Sequence, residues 1–129
     1  MMVDSPFPGY IEDAKSGALQ VRMDPQGFVD MDKACQELID ALVAVQTDAR
    51  ELGERQYWGL GEGNPRLTSA VELVGMFREK ALGGPNNAFD TLADYIAVAQ
   101  EVQAMFTAMR DTYARTDAGF AAKLRELSV

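Results

Sequence analysis

The stretch DPQGFVDMDKACQELIDALVAVQTDARELGE, Asp24 to Glu54, decides the fold. It opens on Asp24-Pro25, a capping carboxylate followed by a proline whose missing N–H costs nothing at the first helical position. Apolar residues then recur at Phe28, Met31, Cys35, Leu38, Leu42, Val45, Ala49 and Leu52, in alternating steps of three and four. That is an a/d heptad seam. Ile39 and Val43 widen it toward the broader face of a bundle helix. Gly53 and the run GLGEG (Gly59 to Gly63) end the pattern, so a helix over 25–54 is predicted. At 1.5 Å per residue it is roughly 45 Å long.

The pair Asn64-Pro65 repeats the capping logic and predicts a second helix over 65–82. Leu67, Val71 and Val74 lie on one side of it and Ala70, Leu73 and Phe77 on another, an arc wide enough for two neighbours. The run GGPNN (Gly83 to Asn87) is a stop followed by a new start, with Asn86 or Asn87 as cap. A third helix over 88–127 is predicted from Phe89, Leu92, Ile96, Ala99, Val102, Phe106, Met109, Tyr113, Phe120 and Leu124. At roughly 60 Å it outruns what the first helix covers. Apolar surface is then left bare, and a dimer that closes a bundle is the expected remedy.

Residues 1–23 carry Pro6, Pro8, Gly9 and Gly17 and read as a flexible or loosely docked tail without helical period. The alternation of Leu19, Val21 and Met23 fits a short extended segment. The expected architecture is all-α, an antiparallel hairpin or bundle of three main helices within residues 24–129.

At 129 residues the chain has room for one modest core. A net charge of −8 opposes binding to nucleic acid or to anionic lipid. Histidine is absent, which removes the commonest general base and metal ligand. Cys35 is the single cysteine, so no internal disulfide forms. No run approaches the ~20 apolar residues of a membrane span. The opening MMVDSPFPGY has neither the basic start nor the apolar centre of a Sec signal, so any export is expected to take another route.

Chemistry has few candidates. Glu37, Asp40, Asp48, Glu51 and Glu54 fall off the seam and read as a solvated face. Asp30, Asp32, Glu37 and Asp40 lack the spacing of a calcium loop. Cys35 sits on the seam with no histidine to activate it and reads as a small core residue. GLGEG lacks the Gly-Lys-Ser/Thr ending of a phosphate loop and reads as a tight turn. No enzyme activity, metal or cofactor is expected.

Two places read as addresses for other proteins. In YWGLG (Tyr57 to Gly61) the only tryptophan, Trp58, stands where the first helix ends, beside Gly59 and Gly61. Glycine there permits the left-handed backbone of a turn, and the indole closes the end of the helices. In YARTD, Tyr113 and Asp117 are four residues apart, a spacing that puts ring and carboxylate on one face of a continuous helix. Tyr113 also falls on the seam, so it packs as well.

These motifs together resemble the Trp-x-Gly superfamily of type VII (ESX) secretion substrates of actinobacteria, including the Esp-like secretion-associated proteins. VRMDPQGF (Val21 to Phe28) is similar to the Val-x-Asp-Pro opening of actinobacterial members. The strict pattern places glycine two after tryptophan, where this chain has Leu60, and GGPNN interrupts the return arm. Both departures point to an Esp-like or divergent relative. The resemblance implies export as a folded homodimer, or as a heterodimer with a related small helical protein. It also implies that Tyr113 and Asp117 are the C-terminal secretion signal read by the type VII export ATPase, with Trp58 and Gly59 at the turn. The protein would then reach the cell envelope or medium without a signal peptide. The competing expectation is a cytosolic helical adaptor in which YARTD has no secretory role.

Overall fold

The computed structural model describes residues 5–127, and among them every regular element is a helix. In chain order these are α1 (Phe7–Ser16), α2 (Pro25–Glu54), α3 (Thr68–Ala81), α4 (Ala88–Thr116) and α5 (Ala118–Leu127). None is long and apolar enough to cross a membrane. The described chain forms two units, one made by Ala41–Tyr95 and the other by residues 5–40 and 96–127.

In the second of these, Ala14, Phe28, Ala108 and Met109 form the core, with Leu19, Met23, Met105, Phe106, Tyr113 and Phe120 packed around it. Ala14 belongs to α1, a helix absent from the sequence reading of residues 1–23. Its apolar positions Phe7, Tyr10, Ile11 and Ala14 do follow the i, i+3, i+4, i+7 pattern of a helix face. Pro8 sits in the first turn, where no N–H is needed, and Gly17 ends the helix at φ 85°. The α1 backbone is tied to α4, because the buried Thr112 hydroxyl donates to the Ala14 carbonyl at 2.9 Å.

The start of α2 is as the sequence predicts. Asp24 Oδ1 accepts from the Gly27 N–H at 2.8 Å, a capping bond that satisfies an otherwise free donor. Helix α2 buries Phe28, Cys35 and Ala49 of the predicted seam, but turns to Ile39 in place of Leu38. Phe28, Cys35, Ile39 and Ala49 are buried, whereas Leu38 and Val45 are 53% and 51% exposed. Leu38 and Ile39 are adjacent, so only one of them can face the core, and it is Ile39.

The Ala41–Tyr95 unit is thinly cored. Its buried apolar side chains are Ala49, Val74 and Ala81, while Val45, Leu52, Leu67, Val71, Leu73 and Met76 stand exposed. The second helix begins at Thr68, not at 65. Asn64 caps a turn instead, its Oδ1 accepting from the Arg66 N–H at 3.0 Å and its carbonyl from Leu67 at 2.9 Å. Proline after asparagine starts a β-turn as readily as a helix. At the next junction Asn87 does cap α4, Oδ1 accepting from the Asp90 N–H at 2.8 Å.

The predicted single helix over 88–127 is broken at Asp117, which separates α4 from α5. With α1 added, three main helices become five.

Candidate functional site

Tyr113 and Asp117 meet at the α4–α5 joint. The Tyr113 ring is half-buried in an aromatic triangle, 5.9 Å from Phe28 and 5.4 Å from Phe120, with Phe28 and Phe120 5.8 Å apart edge-on. Asp117 is exposed. Its N–H closes the last turn of α4 on the Tyr113 carbonyl at 2.9 Å, and its carbonyl accepts from Ala121 at 3.0 Å. Its carboxylate Oδ1 accepts from the Phe120 N–H at 3.0 Å. Asp117 is therefore the N-cap of α5, where its charge also suits the positive end of that helix.

The helix is not continuous through the pair, because Asp117 closes α4 on Tyr113 and starts α5, and its carboxylate already has a structural task. Phe28 and Phe120, which hold the tyrosine, are site residues that the YARTD motif does not contain. Phe120 carried a signal, seven residues after Tyr113 on the same seam. Nothing local to YARTD points to Phe28.

Trp58, Gly59 and Gly61 form a closed turn in the Ala41–Tyr95 unit. Gly59 and Gly61 hold φ of 79° and 99°, the left-handed region that favours glycine. A Cβ on Gly61 would also press to 3.0 Å from Leu67 Cδ1. The half-buried indole stacks on Phe77 of α3 at 6.0 Å between ring centres, and its Nε1 is buried without a hydrogen-bond partner among the described residues.

A carboxylate holds the turn from within. Glu62 Oε2 accepts from the Trp58 N–H at 2.7 Å and Oε1 from the Leu60 N–H at 2.9 Å. Arg78 donates to the carbonyls of Arg55 at 3.1 Å and Gln56 at 2.5 Å, satisfying backbone acceptors just past the end of α2. Desolvation opposes the Glu62 charge. Hydrogen bonds from the backbone of Trp58, Leu60 and Glu62 itself, with Arg78 nearby, outweigh it and hold the carboxyl below its ordinary value.

A pH effect follows. A carboxyl whose folded pKa is depressed contributes stability above its unfolded value, about 4.3 for Glu, and loses it as pH falls through the lower folded value. Trp58 is the only tryptophan, so its fluorescence reports this turn alone. The emission is expected to hold steady down to that region and then shift as the pH drops below it. Glu62→Gln, which replaces one accepting oxygen with a donor, is expected to shift the neutral-pH emission and flatten the acid limb. An unchanged titration in Glu62→Gln would show that the clasp does not hold the indole.

Elsewhere the chemistry is sparse. Burial first, and Asp32 beside it, push the Cys35 thiol above its ordinary value, away from the thiolate that reacts. Among the described residues, no three His, Cys, Asp or Glu gather as metal ligands would. No family model, curated protein or solved structure matches the chain.

Proposed function

We propose that this chain is a non-enzymatic substrate or secretion-associated protein of a type VII (ESX) system, exported through Tyr113 and Asp117. The observation that carries this reading is the joint itself, where an exposed carboxylate lies one turn from a tyrosine braced by Phe28 and Phe120. The thin core of the Ala41–Tyr95 unit, with its run of exposed apolar side chains, supports a second helical chain as partner, either another copy or a relative. The export ATPase would be the reader of the signal, and the protein would function outside the cytoplasm.

The rival, a cytosolic helical adaptor, draws on the same joint. Tyr113 packs and Asp117 caps, so both residues have duties that need no receptor.

The cap decides which variant separates the two. Asp117→Ala removes a cap at a cost of about 1 kcal/mol, so lost export would be ambiguous. Asp117→Asn keeps an accepting oxygen, caps about equally well, and removes only the charge. In a type VII-competent actinobacterium co-expressing the native partner, wild type is expected in the culture filtrate and Asp117→Asn in the cells. Losing a charge-assisted bond of about 1.5–3 kcal/mol lowers receptor affinity roughly tenfold or more. Asp117→Asn exported at the wild-type level, with a lysis marker retained, would defeat the reading.

A further inference from the structure

Helix α5 is held through half-buried side chains, Phe120, Ala121, Leu124 and Leu127, rather than buried ones. It has 10 residues and buries none of them, whereas the adjoining α4 buries Ala99, Ala108, Met109 and Thr112. Isolated helices shorter than about 12–15 residues are marginal in water, so α5 depends on its attachments. No backbone hydrogen bond runs from Ala118, Gly119 or Phe120 back to α4; the bonds across the joint are those that Asp117 makes to Tyr113, to Ala121 and through its carboxylate to Phe120. Gly119, one residue before Phe120, adds backbone freedom beside the cap.

Phe120 has two roles in this joint. Its N–H binds the Asp117 carboxylate, and its ring covers Tyr113 and meets the edge of Phe28. One residue therefore occupies both halves of the Tyr113–Asp117 pair. A movement that lifts Phe120 away uncovers the ring and frees the carboxylate in the same step.

We propose that α5 is a detachable strap that closes over Tyr113 and Asp117 through Phe120 and leaves the rest of its unit as one piece. Other contacts of that unit, among them the Thr112 hydroxyl on the Ala14 carbonyl and the tilted Phe28–Tyr113 pair, do not involve α5. The strap thus has its own opening equilibrium, below the global one. A receptor that needs both groups binds only the open fraction, and its apparent affinity falls by that fraction. This deepens the export reading only in naming the receptor; the strap itself stands on Phe120.

The test uses the purified full-length protein. Backbone amides in 118–127 are expected to exchange with deuterium at least about tenfold faster than those in 96–112. Phe120→Ala is expected to speed α5 exchange by about another tenfold and leave 96–112 unchanged. Nitration by tetranitromethane, mapped by mass, reads the cover directly. Tyr113 is expected to react more slowly than the exposed Tyr57 in wild type and about tenfold faster than wild type in Phe120→Ala. Asp117→Ala should move both readouts the same way by less, and Asp117→Asn should move neither. Exchange rising together across α4 and α5, or Tyr113 nitration unaffected by Phe120→Ala, would overturn the strap. Asp117→Asn exported like wild type would end the export reading and leave the strap in place.

Discussion

Phe28→Ala is expected to destabilise the protein by about 3–5 kcal/mol, the range for truncating a buried aromatic side chain. Phe28 is 2% exposed and packs with Ala14, Ala108 and Met109 while meeting the rings of Tyr113 and Phe120. Two of its core neighbours are alanines, which have no rotamer with which to fill the void. The loss includes the transfer of the ring to water and a cavity that relaxes only in part. Against a total stability of about 5–15 kcal/mol it is a large share. Urea unfolding followed by helical circular dichroism measures it, at unchanged slope if the denatured state is unaltered. Met76→Ala serves as the control: Met76 is 61% exposed, and a change within about 0.5 kcal/mol is expected. A Phe28→Ala loss under 1 kcal/mol would mean that the aromatic triangle is not the centre of its unit.

Some local signals in this chain are legible, whereas the direction a helix faces is not. The caps at Asp24 and Asn87 are contacts between residues three apart, so sequence contains both partners. The choice between Leu38 and Ile39 is different. Both suit a helix, and which one turns inward depends on the elements packed against α2 rather than on α2 itself. Helix α1 is legible in Phe7, Tyr10, Ile11 and Ala14, although prolines and glycines beside them mask the period. A proline in the first turn breaks nothing. The break at Asp117 also left a trace. The seam skips from Tyr113 to Phe120, and an aspartate with a glycine two residues later stands in the gap, a capping signal inside an apolar pattern.

The candidate sites divide along the same line. That Tyr113 packs follows from its seam position, and that Gly59 and Gly61 turn the chain follows from their lack of a Cβ. Glu62 was inside the quoted glycine run, yet its clasp on Trp58 and Leu60 depends on turn dihedrals that no spacing rule specifies. Phe28 and Arg78 reach their sites from distant parts of the chain, and only the fold brings them there.

At the α3–α4 junction, substituting Asn87 separates capping from charge. Asn87 is 1% exposed and uses all of its amide: Oδ1 accepts from the Asp90 N–H at 2.8 Å, and Nδ2 donates to the Gly84 carbonyl at 2.7 Å and Asp90 Oδ2 at 2.8 Å. Asn87→Ala loses the cap and leaves those groups short of a partner, for an expected loss of about 2 kcal/mol. Asparagine and aspartate are ordinarily near-equal caps. Here they are not equivalent, because Asn87→Asp aims an acceptor at two acceptors, one of them a carboxylate. At neutral pH its expected loss is also about 2 kcal/mol, since like charges and burial both disfavour the ionised form. The pH dependence tells the two variants apart. The folded pKa of the introduced carboxyl is raised above its unfolded value of about 3.9, so its penalty is absent below that value and grows as pH rises toward the folded pKa. Asn87→Asp is therefore expected to regain stability relative to wild type on acidification, while Asn87→Ala stays about as far below wild type throughout. Urea unfolding of the three proteins from pH 7 down to about 4 makes the comparison. If Asn87→Asp matches wild type at neutral pH, then Asn87 acts as a cap alone and its amide donor bonds contribute nothing to the junction.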